Sequence, residues 1–474
     1  MKVNTLCTMA KLGKVKYNHE IAKLTSDSRE CVENSIFVAI NGNAKNGIQF
    51  IEEAIQKGAK TIITRPIEKK NETINYIFVE DERKTLAILA KHFYKDISRK
   101  LHLIGVIGTN GKTTVSTIAY HFFNYLHMDA MVIGSNGIFY KNHEFSIYNT
   151  TPDILTIYQY LSIAKQKKIR YVFMEVSSIS VDQMRVYDMD FECLIFTNFS
   201  EDHLDYHKTM ARYLYCKIIP FVKLKRTSYA IINKDDEVSD KIIKHTDAKV
   251  ISYGFNQACD YLGTMNYTKE SGISFYAKNL LFKSNLIGEF NLYNALAVMP
   301  LCEIYHIPYT EYVGFLGSFQ PVMGRMNRIC FDHRCVIIDY AHTFEATKQV
   351  ILEGLRLCKG KLTILLGCGG NREKEKRGAI GSFLNEVDAN IYLTTDNPRF
   401  EDPMDIINDI LVNIRKDVHV IVERKDAITE ALKNLEKNDY LLVLGKGCEK
   451  YMDIKGIRYP YSDLEVIYDW IRSH

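Results

Sequence analysis

The stretch that most narrows what this chain can fold into runs from His102 to Tyr125. An apolar strand, His102 to Ile107, enters Gly108-Thr109-Asn110-Gly111-Lys112-Thr113-Thr114 and continues as a helical pattern to about Tyr125. Strand, glycine-bearing loop and helix in that order build a phosphate loop. Backbone N–H groups and the helix N-terminus cradle phosphate, the Lys112 ammonium adds a point charge at the β- and γ-phosphates, and the Thr113 hydroxyl can ligate Mg²⁺. The strict Walker pattern would place glycine where Val106 stands, so the loop is a short variant.

Such a loop needs a sheet behind it. Strand-sized runs at Tyr171 to Met174, Cys193 to Phe196, Tyr229 to Ile232 and Val250 to Tyr253 alternate with helical patterns, the signature of a mostly parallel sheet. Ligands of such sheets bind beyond the carboxyl ends of the strands. Glu175 directly follows one strand, and Asp202-His203 follow another, so Glu175 and His203 converge on Lys112. A carboxylate and an imidazole there make a plausible divalent-cation pair.

The α/β class extends over the whole chain in three domains. Residues 1–98 read as a small α/β domain, with a strand at Ser35 to Ile40, a helix at Phe50 to Lys57 and a strand at Thr61 to Thr64. Residues 99–323 form the central phosphate-loop domain. From 324 to 474 the alternation restarts as a Rossmann-like, doubly wound domain. Its strands are expected at Val336 to Asp339, Leu362 to Leu366, Ile391 to Thr394, Val418 to Val422 and Tyr440 to Leu444. No G-x-G-x-x-G follows its first strand, which weakens a dinucleotide reading.

Composition removes other classes. Lys+Arg 61 against Asp+Glu 57 leaves a net charge of +4, too little for a nucleic-acid surface spread over the molecule. The longest apolar runs are strand-sized, so no membrane span is expected. Met1 to Tyr17 has no continuous apolar core of the export-signal type. The 11 cysteines show no C-x-x-C pair, and Cys193 and Cys335, inside apolar runs, are expected as reduced, buried thiols of a cytoplasmic protein.

Ordered motifs along nearly the whole chain resemble the Mur ligase family. They are Ser26-Asp27-Ser28-Arg29 with Phe37-Val38-Ala39, the 108–114 loop, Asn149-Thr150-Thr151-Pro152 and Met174-Glu175-Val176-Ser177-Ser178. Thr197-Asn198 follows, leading into Asp202-His203-Leu204-Asp205-Tyr206-His207. The third domain adds Gly324-Arg325-Met326, Asp339-Tyr340-Ala341-His342-Thr343, Gly367-Cys368-Gly369-Gly370 and Asp396-Asn397-Pro398-Arg399. The resemblance implies an ATP-dependent ligase of peptidoglycan synthesis. Through an acyl phosphate it would add the third stem-peptide residue, meso-diaminopimelate, to UDP-N-acetylmuramoyl-L-alanyl-D-glutamate.

The resemblance also implies roles. The first domain would bind the UDP end, with Ser28 among its contacts. Thr150, Thr151, Ser177 and Arg185 would hold the muramoyl dipeptide, Asn294 the adenine, and Arg325 and Asp339 other parts of ATP. Lys217 falls at the place of a carbamylated lysine, whose carboxylate would help Glu175 and His203 fix a second Mg²⁺. Arg372, Asp396, Asn397, Arg399, Gly445 and Glu449 would bind the amino acid, with Glu449 on its distal ammonium. Arginine at 399 suits a substrate with a second carboxylate, because its planar fork pairs with one bidentately. A bland alternative pairs Arg399 with Glu401 or Asp402 nearby. The chain is expected to act as a monomer.

Ile179, Phe344 and Cys448 depart from the family pattern, where His, Pro and His are common. Three readings compete with the main one: an L-lysine-adding version or a paralogue with a related acceptor; a folylpolyglutamate or cyanophycin type of ligase; and a catalytically silent nucleotide-binding partner protein. Folyl ligases carry the loop near the N-terminus, and a silent paralogue would tolerate loss of Lys112, Glu175, His203 or Lys217, all of which are present.

Overall fold

The computed structural model describes residues 1–42, 46–68, 71–266, 272–372 and 374–474. Apolar runs bounded by capped helices produce three α/β units along the chain. The first carries a four-stranded parallel sheet, ordered Leu24–Thr25, Ser35–Val38, Ala59–Thr64 and Asn75–Phe78. Its closing helix Glu82–Phe93 starts where the Asp81 carboxylate accepts the Lys84 N–H at 2.9 Å.

The central unit is a nine-stranded sheet in which His102–Ile107 lies between Cys193–Phe196 and Tyr171–Glu175. All three run parallel and are almost wholly buried, as strands covered by helices on both faces must be. Outward from Cys193–Phe196 lie Tyr229–Asn233, Lys249–Gly254 and Tyr261–Leu262. Outward from Tyr171–Glu175 lie Ala130–Gly134 and an antiparallel edge, Gly137–Tyr140 and His143–Phe145. This order sets the carboxyl ends of the three central strands side by side. Apolar side chains pack on both faces, one core containing Leu103, Ile107, Met174 and Phe196, the other Ile104, Val106, Phe122 and Phe173.

The third unit has a six-stranded sheet ordered Asn327–Phe331, Arg334–Asp339, Tyr440–Leu444, Leu362–Leu366, Asn390–Leu393 and His419–Val420. Only its first strand is antiparallel to its neighbour. That strand, and the hairpin Tyr451–Ile454 with Ile457–Pro460, are additions to the expected doubly wound pattern. The strand expected at Val418 to Val422 shrinks to His419–Val420, both exposed at the sheet edge. Helix Glu375–Leu384 is also an addition. Its two glycines hide the helical pattern, and Gly381 is there because a Cβ would overlap the Ile410 carbonyl of the crossing helix Pro403–Leu411.

One cysteine expectation is corrected. Cys193 is a buried free thiol, but Cys335 is bonded to Cys330. The two stand directly opposite each other in the antiparallel pair Asn327–Phe331 and Arg334–Asp339, which brings their sulfurs together. No helix among the described residues is long and apolar enough to cross a membrane.

Candidate active site

The phosphate loop is shaped by its neighbours. A Cβ on Gly108 would overlap the Thr197 hydroxyl, and Gly111, at φ +85°, turns the chain into helix Lys112–Tyr125. Asn198, beyond the adjacent strand, accepts the Asn110 N–H at 2.8 Å and donates to the Asn110 carbonyl at 3.1 Å. Thr197 donates to that carbonyl at 2.6 Å. The Lys112 ammonium bridges the Gly108 and Thr109 carbonyls at 2.9 and 2.8 Å, curled over its own loop. Thr114 is buried at the start of the helix and lines the cavity described below.

Glu175, the last residue of its strand and 1% exposed, accepts the Thr113 hydroxyl at 3.0 Å and the Ser135 N–H at 2.7 Å. Ser135 also donates to Thr150 at 3.0 Å, which ties the Asn149–Pro152 segment to the acid. Thr151 donates to the Glu175 carbonyl at 2.7 Å and accepts the Ser177 N–H at 3.0 Å; Arg185 donates to the Thr151 carbonyl at 2.8 Å. These four predicted residues are thus one cluster. A cleft of about 490 Å³ beside it is lined by Ser26, Arg83, Tyr148, Asp153 and Arg185. Ser28 is not in that lining; it is buried and donates to Glu53 at 2.6 Å.

His203 stands on the other flank of Lys112. It has φ +55°, its Nε2 lies 3.4 Å from Asp202, and its Nδ1 is buried without a hydrogen-bond partner. Burial pushes its imidazole down to about 4. Burial alone would raise Asp202, but His203, His342 and Lys112 around it hold it at about 2. Lys217, in helix Met210–Val222, is 2% exposed, with its nitrogen over the Tyr213 ring at 4.5 Å. No carboxylate pairs with it among the described residues, and burial, with Lys112 adding, pushes its pKa well down. Bare side chains alone make no metal cage: no cluster of three or more His, Cys, Asp or Glu suited to a metal occurs among the described residues.

The third unit closes the site. Arg325 donates to the Thr113 hydroxyl at 3.1 Å and stacks over the Tyr340 ring at 4.6 Å. Asp339 is occupied by backbone, accepting the Met326 and Ala341 N–H groups at 2.7 Å each. A cavity of about 410 Å³ between the units is lined by Asn110, Gly111, Asn294, Arg325, Asp339 and His342. Asn294 donates to Asn291 at 2.8 Å, with its amide oxygen beside Gly111.

On the far rim, Arg399 sits at φ +52°, its backbone held by Asp453 and Lys455 of the hairpin. Its guanidinium donates to the Gly370 carbonyl at 2.5 Å. The expected alternative does not occur: Glu401 pairs with buried Arg377, and Asp402 caps helix Pro403–Leu411. Arg399 is left without a carboxylate partner among the described residues. Arg372 lies 3.5 Å from Asp205 of the central unit. Gly445, at φ +108°, leaves room for Asp396, whose carboxylate a Cβ there would meet at 3.4 Å. Asn397 donates to Glu449 at 2.8 Å. Sequence reasoning gave no role to Ser135 or Lys446, nor to Tyr340 and His342 within the Asp339–Thr343 motif; Ser135 meets Glu175, Tyr340 meets Glu449, His342 faces Asp202 and Lys446 meets Asn397 across the fold.

A phosphate loop at the centre of a parallel sheet, faced by a second α/β unit that brings its own arginines, defines a phosphate-handling enzyme whose site the third unit completes. Known proteins make this specific. Residues 20–94 match the Mur ligase family catalytic domain, 106–302 the Mur ligase middle domain, and 324–447 the Mur ligase glutamate ligase domain. A UDP-N-acetylmuramoyl-L-alanyl-D-glutamate–2,6-diaminopimelate ligase of Bacteroides fragilis is 34% identical over 98% of each chain. One of Clostridium botulinum is 33% identical over 100% of each. A solved structure of a ligase of that name superposes with a TM-score of 0.70 at 28% identity, covering 100% of this chain and 99% of that one. The fold of the MurF ligase from Thermotoga maritima in complex with ADP is also similar, with a TM-score of 0.64 at 19% identity over 95% and 97%. The chain belongs to the Mur ligase family, and it is an ATP-dependent amide-bond-forming ligase.

Proposed function

We propose that this ligase joins meso-diaminopimelate to UDP-N-acetylmuramoyl-L-alanyl-D-glutamate, the third step of stem-peptide assembly. The observation that carries the choice of amino acid is the Arg399 guanidinium, which has no carboxylate partner among the described residues. End-to-end similarity to diaminopimelate ligases supports the same reading.

Lys112 and the loop N–H groups of residues 108–114 bind the ATP phosphates, Asn294 faces the base, and Arg325 reaches over from the third unit. The residues fit two Mg²⁺ ions. Thr113 and Glu175, already in contact, suit one. For the other, His203 has a buried Nδ1 without a partner among the described residues, and burial pushes the Lys217 amine toward its neutral form, the form that reacts with CO₂ to give a carbamate. When bound, the cations neutralise phosphate charge. Thr150, Thr151, Ser177 and Arg185 hold the dipeptide so that its terminal carboxylate faces the γ-phosphorus. The phosphoryl group passes to that carboxylate, ADP leaves, and positioning and charge neutralisation supply the catalysis. The amine of the amino acid, placed by Arg372, Asn397, Arg399 and Glu449, attacks the acyl carbon. Phosphate departs and the amide remains. Closure of the third unit keeps water from the acyl phosphate.

Phosphate release measured with and without each substrate tests this. Release that requires ATP, the UDP-linked dipeptide and diaminopimelate together is expected. Release with acceptors lacking UDP would refute the first-domain role, and turnover with L-lysine alone would refute the choice of amino acid.

A further inference from the structure

Beneath the rim that carries Arg399, one residue past Gly445, lies a lysine to which the family resemblance gives no role. Lys446 is fully buried. Its ammonium donates to the Asn397 amide oxygen at 2.9 Å and lies 3.4 Å from both Asp396 and Glu449. An ammonium has three donors, and three acceptors from two separate loops use them. The floor below is rigid: Arg424 and Asp463, both fully buried, pair at 2.7 Å, and Arg424 also donates to the Leu444 carbonyl at 2.9 Å.

The consequence for Asn397 is directional. Its two amide ends are nearly equal in size, so sterics alone would let it turn over. Lys446 and the Asp453 N–H, each at 2.9 Å, both require the oxygen on their side. The NH₂ must then face Glu449, to which it donates at 2.8 Å. The other Glu449 oxygen accepts from Tyr340 at 3.0 Å and Tyr451 at 3.3 Å. Glu449 is therefore held in one rotamer by four donors, and the long Tyr451 bond is the one an incoming ammonium can share. Without the Lys446 charge, two acids would face each other across the pocket floor with nothing between them, and repulsion would turn Glu449 away.

We propose that Lys446 is the positioning residue of the amino-acid site, fixing Asn397 and Glu449 in the one orientation that receives the distal ammonium of a substrate whose distal carboxylate pairs with Arg399. This rests on the reading above that these loops bind the amino acid. Lys446 touches no substrate; it acts through its two neighbours.

The test compares wild type with Lys446→Gln and Lys446→Met in four readouts: KM for diaminopimelate, KM for ATP, the diaminopimelate-to-lysine preference, and hydroxylamine trapping of the acyl phosphate without amino acid. KM for diaminopimelate should rise about 30-fold, the scale of one misplaced charge-assisted hydrogen bond, and the preference should fall too, because lysine, with no distal carboxylate tied to Arg399, lets its ammonium follow a turned Glu449. KM for ATP and hydroxamate yield should stay within about two-fold, because loss of uniform binding at one subsite leaves the first half-reaction alone. An unchanged preference, or KM values for all substrates rising together, overturns the proposal. Should the single variants fail to fold, Lys446→Met/Glu449→Gln removes the cation together with one acid. Measured against Glu449→Gln alone, the double variant should lose little further preference, since Lys446 acts through Glu449 and Asn397; a wild-type preference, or a further loss near 30-fold, overturns it. A wild type that does not turn over diaminopimelate refutes the underlying reading instead.

Discussion

Arg399→Ala removes a rim cation that has no carboxylate partner among the described residues. Among the described residues the guanidinium makes a single hydrogen bond, to the Gly370 carbonyl at 2.5 Å, so its loss should barely touch stability. With diaminopimelate bound, two parallel N–H···O bonds form to the distal carboxylate. Hydrogen bonds to charged groups contribute ~1.5–3 kcal/mol each, and the half-buried, solvent-screened position argues for the lower end, so the pair should contribute ~3 kcal/mol. That is about 10²-fold in KM for diaminopimelate. L-Lysine lacks the second carboxylate and should lose almost nothing, so the preference between the two should collapse by the same ~10²-fold. The assay is competition between the two amino acids at saturating ATP and precursor, with products separated by mass. Hydroxylamine trapping in parallel should show acyl phosphate formation intact. If the variant keeps the wild-type preference, or loses trapping as fast as it loses product, Arg399 is not the carboxylate's partner.

Three further outcomes are expected. Lys112→Ala should lower product formation by at least ~10²-fold with the fold intact, since one electrostatic stabiliser of shifting phosphate charge is gone; activity within a few-fold of wild type would remove the phosphate loop from the mechanism. Lys217→Ala should be inactive and partly rescued by added formate or acetate, whose carboxylate can occupy the place of the carbamate, and mass spectrometry of the native protein should find the extra carboxyl on Lys217. His342 is pushed down to about 4 by burial, with Lys376 and Arg372 adding to it and Asp202 opposing. Its unfolded value is ~6.5, so between about pH 6.5 and 4 the unfolded chain takes the proton first, and folded stability falls with falling pH by up to ~3 kcal/mol from this group. His342→Asn should flatten that part of the melting-temperature profile, and parallel wild-type and variant profiles would refute it.

What could be read in the sequence is what is local. The phosphate loop is contiguous, and its strand and helix, His102–Ile107 and Lys112–Tyr125, fall where the apolar pattern puts them. Glu175 and the Asp202-His203 pair are legible because neighbouring parallel strands end together. The remainder depends on contacts distant in sequence. Nothing in the pattern says that Ser135 would bridge Glu175 and Thr150, that Lys446 would lie under Asn397, or that Glu401 would be taken by Arg377 rather than by Arg399. The Cys330 and Cys335 bond was hidden similarly, since the antiparallel strand Asn327–Phe331 that aligns them is not among the strands expected for the doubly wound domain.

The charges around the loop give a physical reason for dividing this site between two units. Burial pushes Lys112, Lys217, His203 and His342 toward their neutral forms. Each is pushed further by a neighbouring cation: Lys112 by Arg325, Lys217 by Lys112, and His203 and His342 by Arg372. Two of these neighbours, Arg325 and Arg372, are supplied by the third unit, and the contacts that bring them in, to Thr113 at 3.1 Å and Asp205 at 3.5 Å, are individually weak. The arrangement thus brings further positive charge beside groups that Asp202, held at about 2, already serves as a shared acid. A polyphosphate entering beside Lys112 relieves that repulsion, so it binds the closed form better than the open one. By linkage, closure and nucleotide binding then strengthen each other by the same factor. On the proposed reading of the site, the rim of Arg372 and Arg399 would then come together over the acyl carbon chiefly when phosphate is present to react.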